Sequence, residues 1–135
     1  MMRLMIASAV LLVLAACGSA EVMDQVKDAR GQGVTREFQG PYDKVYALVL
    51  AVASRNKLDL VEQDKAAGRI LLSSGMSAGS FGERIAVFVS RSGPRSTNVE
   101  IVSKPVVQRM AMHEDWPKLL LGEIEYGLTS DRRFK

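Results

Sequence analysis

Cys17 is the residue with the most pointed chemistry in this chain of 135 residues. It is the only cysteine, so it has no partner within the chain for a disulfide. Ser80 is the other nucleophile to weigh, because Ala78-Gly79-Ser80-Phe81-Gly82 has the small-x-Ser-x-Gly spacing of a nucleophile elbow. Such a serine needs a strand-to-helix turn, a base and an orienting acid. The residues that follow alternate as a strand, so a loop between strands is expected instead. Gly75, Gly79 and Gly82 are not followed by Gly-Lys-Ser/Thr and do not match a dinucleotide fingerprint. His113 is the only histidine and stands beside Glu114 and Asp115. Adjacent side chains rarely converge on one ion, so a surface histidine near a helix cap is expected and a metal site is not. Glu62, Asp64, Glu83, Glu100, Glu123 and Glu125 are dispersed along the chain, and spacing alone assembles no acid-base pair from them. No catalytic residue and no cofactor is expected.

The residues before Cys17 say where the chain goes. Arg3 gives a positive start and Leu4 to Ala16 is an apolar run of thirteen, the pattern of a secretory signal peptide. As a helix the run is roughly 20 Å long, short of the roughly 30 Å hydrocarbon layer that a spanning segment crosses. Leu14-Ala15-Ala16-Cys17 closes it and resembles the lipobox of bacterial lipoproteins. The resemblance implies cleavage between Ala16 and Cys17, diacylglycerol on the Cys17 sulfur and acylation of the new amine. The lone thiol then has a use, and lipid chains, each methylene contributing about 0.8 kcal/mol, supply the membrane anchor. Gly18 stands where the family's inner-membrane retention signal is usually aspartate. The outer membrane, facing the periplasm, is therefore expected where the cell has two membranes.

Removal of the signal takes only Arg3 among the charged residues, leaving 17 basic and 15 acidic side chains, a net of +2. That balance and an exported location argue against a nucleic-acid partner. The organisation read from the chain is a signal peptide over 1–16, a lipidated cysteine and flexible tether over 17–33, and a single α+β domain over 34–135. The tether is small and polar, and fully extended it reaches roughly 50 Å at about 3.3 Å per residue. Val22, Met23 and Val26 are its few apolar residues, enough for a short amphipathic turn.

Within the domain, Val34 to Gln39 reads as a strand ended by Gly40-Pro41, with the proline in the first turn of a helix that runs to about Lys57. Val45, Leu48, Val49 and Val52 follow the spacing of a buried helical stripe. Leu58 to Gln63 and Arg69 to Ser74 form a hairpin about Asp64-Lys65-Ala66-Ala67-Gly68. Arg84 to Arg91 and Thr97 to Lys104 form a second hairpin about Ser92 to Ser96, and Pro105 ends the sheet. Asp115 caps a last helix with Pro117 in its first turn and Trp116, Leu119, Leu120, Ile124 and Leu128 at helical spacing, interrupted by Glu123. The expected fold is a four- to five-stranded antiparallel sheet with two helices on one face, in the order β-α-β-β-β-β-α.

Phe38-Gln39-Gly40, Tyr42-Asp43-Lys44-Val45-Tyr46, Ala67-Gly68-Arg69-Ile70, Phe81-Gly82-Glu83-Arg84 and Asn98-Val99-Glu100-Ile101 resemble motifs of a group of small α+β lipoproteins of proteobacteria. These motifs are short and structural, so the resemblance implies a fold and an envelope location and no activity. The expected function is a membrane-anchored lipoprotein with a non-catalytic binding or scaffolding domain, its partner an envelope protein complex. The alternatives are a small-molecule or lipid carrier with a cavity between helices and sheet and, more weakly, an envelope hydrolase. Met76 and Phe81, apolar residues in the Gly75 to Glu83 loop, are the candidate partner-binding residues. Phe38, Tyr42, Tyr46, Trp116 and Tyr126 are expected in the core rather than in an aromatic groove, and Asp131 to Lys135 as a solvated, frayed basic end. No pattern in the chain sets an oligomeric state.

Overall fold

The five segments read as strands all form strands, and the computed structural model, which describes residues 20–75, 82–107 and 114–133, joins them into one sheet. A helix α1 over residues 20–27 comes first. It is followed by β1 (Val34–Gln39), α2 (Tyr42–Arg55), β2 (Asp59–Asp64), β3 (Arg69–Ser73), β4 (Glu83–Gly93), β5 (Ser96–Pro105) and α3 (Trp116–Arg133). The five strands lie in the order β1-β5-β4-β3-β2, with every neighbouring pair antiparallel.

That order gives α2 its job. It links β1 at one edge to β2 at the other, so it must cross the width of the sheet. Four strand spacings are about 19 Å, and its 14 residues make a helix about 21 Å long. Val45, Val49 and Val52 face inward and are buried, and Leu48 lies half-buried beside α3. Proline stands at the N-cap of α2 rather than inside its first turn.

The N-cap of α3 is Asp115, whose Oδ1 accepts the Lys118 N–H at 3.2 Å. Leu120, Leu121, Ile124 and Leu128 are buried against the sheet and α2. Glu123, the polar interruption of that stripe, accepts a hydrogen bond from Asn56 Nδ2 at 2.8 Å, so the end of α2 satisfies it. Gly127 lets the helices close on each other, since a Cβ there would meet Leu48 Cδ1 at 3.0 Å.

The expectation of two helices is corrected to three. α2 and α3 share one face, as expected, but α1 covers the other. Val26 and Ala29 are fully buried there against Leu71, Ala86, Phe88 and Val102, with Met23 beside them. Polar composition made residues 20–33 read as a flexible tether. Their few apolar side chains instead fall on one helical stripe, and β3 and β4 carry apolar side chains on both faces that need a cover.

The joint after α1 is held by Glu100 of β5, a buried carboxylate. It accepts the Gly31 N–H at 2.9 and 2.8 Å and the Gly33 N–H at 2.9 Å. Lys27 pairs with Glu62 at 3.3 Å, and Arg30 lies over the Phe88 ring and donates to the Ala67 carbonyl. These contacts fix the direction of α1. Lys27 pairs with Glu62, opposite Leu71, while Arg30 lies over Phe88 and Gly31 bonds Glu100 opposite Phe88, so the segment runs toward the β4–β5 turn as it leaves α1. α1 therefore starts on the side away from the β4–β5 turn.

Candidate functional site

At the β4–β5 end, the β1–α2 connection, the β4–β5 turn and the end of α3 meet and leave a groove of about 530 Å³. Gln39 ends β1, Gly40 and Pro41 lead into α2, Pro94 and Arg95 form the β4–β5 turn, and Leu128 and Arg132 come from the last turns of α3. Each part is fixed by a local interaction. Thr97, fully buried in β5, donates its hydroxyl to the Gly40 carbonyl at 2.8 Å, which sets the bend between β1 and α2. Arg132 Nη2 donates to the Gln39 carbonyl at 3.2 Å, and Lys44 forms an ion pair with Asp131. The end of α3 is therefore docked by Asp131 and Arg132 and helical to Arg133, where a frayed basic end was expected from Asp131 to Lys135; Phe134 and Lys135 lie outside the described residues.

Lys44, Arg95 and Arg132 stand round this groove, and Pro41, Pro94 and Leu128 give it an apolar lining. A second, smaller depression of about 250 Å³ adjoins it across Gln39, Leu128 and Arg132 and is lined by Glu37, Glu125 and Thr129. Arg132 separates the two. On the first side it faces cations and apolar carbon, and on the second it faces carboxylates.

A tyrosine cluster braces the neighbouring hairpin. The rings of Tyr42 and Tyr46 stack at 5.9 Å, Arg91 lies 4.1 Å over Tyr42, and the Tyr42 hydroxyl donates to the Lys65 carbonyl at 2.6 Å. The Tyr46 hydroxyl bonds Gln63 Oε1 at 3.1 Å. Burial pushes both phenols above their ordinary pKa, with Arg91 and Lys65 opposing the shift at Tyr42. The cluster ties α2 to the β2–β3 turn and is a brace for the fold.

Cys17, Ala16, Met76, Ser80, Phe81 and His113 lie outside the described residues. The aromatic set divides. Phe38, Tyr42 and Tyr46 are buried as expected, Trp116 is half-buried at the core edge, and Tyr126 is 71% exposed on α3, against expectation, because its position falls off the buried stripe of Leu120, Leu121, Ile124 and Leu128. The dispersed carboxylates each have structural work. Glu62 binds Arg69 and Lys27, Asp64 accepts the Ala67 N–H, Glu83 bonds Ser103, and Glu125 pairs with Arg36. Hydrogen bonds from Arg69 and Lys27 hold the Glu62 carboxyl below its ordinary pKa. Among the described residues no three His, Cys, Asp or Glu side chains converge on a point that could hold a metal. No helix among them is long and apolar enough to cross a membrane.

Sequence reasoning missed the groove. The Gln39–Lys44 segment, Arg95 and Arg132 lie far apart in the chain, and only the Gly93-Pro94-Arg95 turn and the basic end of α3 carried any trace of it.

No family model matches the chain, and no curated protein matches it. Among solved structures it resembles the crystal structure of the di-domain ARO/CYC BexL from the BE-7585A biosynthetic pathway, with a TM-score of 0.41 and 18% identity over 74% of this chain. The chain spans 42% of the length of that protein.

Proposed function

We propose that the chain is an envelope lipoprotein, acylated on Cys17, whose α+β domain is a non-catalytic binding or scaffolding module for another envelope component. The observation that carries the reading is Leu14-Ala15-Ala16-Cys17 at the end of an apolar run, in a chain with no other cysteine. The docking of α1 supports a closer attachment than a free leash provides. Two residues, Gly18 and Ser19, separate Cys17 from Ala20, the first described residue of α1, and these three steps along the chain reach at most about 11 Å. The domain is thus held at the membrane surface, with the start of α1 nearest the lipid. On this reading the membrane is the outer one, on its periplasmic side, where the cell has two.

Metabolic labelling with a fatty acid tests the anchor. The chain is expected to take up label and lose its first sixteen residues, and Cys17→Ser to remain uncut and unlabelled. Efficient labelling of Cys17→Ser overturns the reading. Mild crosslinking of tagged protein in membranes is expected to capture one envelope protein in stoichiometric yield. Recovery of abundant envelope proteins in proportion to their abundance counts against a dedicated partner.

One observation favours a second reading, a small-molecule carrier. The groove of about 530 Å³ lies within the roughly 300–1,000 Å³ of small-molecule sites. It sits at the open end of the helix–sheet seam, not between packed layers. Mass spectrometry of the native protein is expected to show a bound small molecule on this reading, and a ligand-free mass goes against it.

A further inference from the structure

The groove at the β4–β5 end has a charge that the described residues leave partly unanswered. Lys44, Arg95 and Arg132 line it and, among the described residues, no acidic side chain does. Asp131 answers Lys44, and the Gln39 carbonyl takes one nitrogen of Arg132. Arg95 is exposed and has no hydrogen bond or ion pair among the described residues. Its guanidinium carries five N–H donors in a planar fork that fits a carboxylate or a phosphate. The side chains beside it, Pro41, Pro94 and Leu128, are apolar. α2 opens in the same wall with no side-chain cap, so its free N–H groups add to the positive field the three cations already set.

We propose that this groove binds a free small molecule that carries an oxyanion, a carboxylate or a phosphate, on a compact apolar body. The oxyanion lies between Arg95 and Arg132, and the body covers Pro41, Pro94 and Leu128. The inference rests on reading the chain as an anchored binding protein, which also sets the source of the ligand. β4 is 11 residues long, so the groove is about 30 Å along the sheet from the end where α1 starts. It opens away from the lipid on Cys17, toward dissolved molecules and not toward the headgroups of the anchoring bilayer.

The test is a titration of the full, isotope-labelled chain in non-ionic detergent, followed by the backbone amide resonances of Gly40, Lys44, Arg95 and Arg132. Phenyl phosphate, benzoate, inorganic phosphate and benzyl alcohol are added in turn. Phenyl phosphate or benzoate is expected to give saturable shifts confined to the groove, inorganic phosphate to bind at least about tenfold more weakly, and benzyl alcohol to give none. Arg95→Gln is expected to weaken binding about tenfold, the loss of one charge-assisted hydrogen bond. Arg133→Gln, on the same helix end but outside the groove, is expected to leave it unchanged. The proposal is overturned if neither aromatic anion saturates by about 10 mM, if Arg95→Gln binds as tightly as the parent, or if inorganic phosphate binds as well as phenyl phosphate. Acyl labelling of Cys17 is scored separately. A silent groove on a labelled protein overturns this inference alone, and an unlabelled protein overturns the anchoring.

Discussion

Replacing Glu100 by alanine should release α1 from the sheet without unfolding the sheet. The carboxylate accepts two N–H donors, from Gly31 and Gly33, on the short connection between α1 and β1. Hydrogen bonds to a charged group contribute about 1.5–3 kcal/mol each. Gly31 is exposed and Gly33 half-exposed, so water recovers part of the loss and the low end applies, giving about 2–3 kcal/mol for the pair. Hydrogen exchange over residues 20–33 should then accelerate roughly 30- to 140-fold. The amides of β4 and β5 should change far less, because Ile85, Val87 and Ile101 stay buried under α2 and α3. Glu100→Gln, which keeps one acceptor oxygen, should fall between. Unchanged exchange over 20–33 would show that the apolar contacts of Val26 and Ala29 hold α1 without the carboxylate. Equal acceleration in α1 and the sheet would show that α1 is no separate unit. Either result refutes the reasoning.

Gly68→Ala should be among the most damaging single substitutions. Gly68 has φ +70° and a Cβ there would lie 2.0 Å from the Val89 carbonyl oxygen, while its own carbonyl accepts the Val89 N–H at 2.7 Å. A loss of about 3 kcal/mol or more is expected, seen as a fall in Tm on the order of 10 °C or more, and a Tm within a few degrees of the parent would contradict it. Alkaline pH should destabilise the fold through Tyr42 and Tyr46, whose folded-state pKa values burial raises above 10.0. The fold prefers the neutral phenols, so their contribution is whole below about pH 10 and is lost as pH climbs through the raised values. Denaturant titrations at rising pH should show this decline, and the Tyr42→Phe, Tyr46→Phe double variant should flatten it. An equally steep decline in the double variant would assign it to other groups.

Much of the front of the molecule was legible in the chain because local rules governed it. The stripe of Val45, Val49 and Val52, the capping Asp115 and the turn ending in Gly68 each carry their signal within a few residues. The back face was legible too, but in a different pattern. Ile70-Leu71-Leu72 and Ile85-Ala86-Val87-Phe88-Val89 are unbroken apolar runs, the mark of strands covered on both sides. Two helices on one face leave the second face of those strands bare, and the polar composition around Val22, Met23 and Val26 hides the helix that covers it. The groove had no such local signal. Its cations come from α2, the β4–β5 turn and α3, and nothing in their neighbours along the chain distinguishes them from solvated charges.

By itself the amino-acid sequence determined the short-range features: the single cysteine at the end of an apolar run, the periods of helices and strands, the turns and the cap. These depend on side chains within about one turn or one hairpin of each other. Only the tertiary structure decided that α1 closes the back of the sheet, that Glu100 takes the N–H groups of Gly31 and Gly33 on the connection to β1, and that Arg95 and Arg132 line one groove. Those are pairings between distant residues, set by strand order and helix crossing.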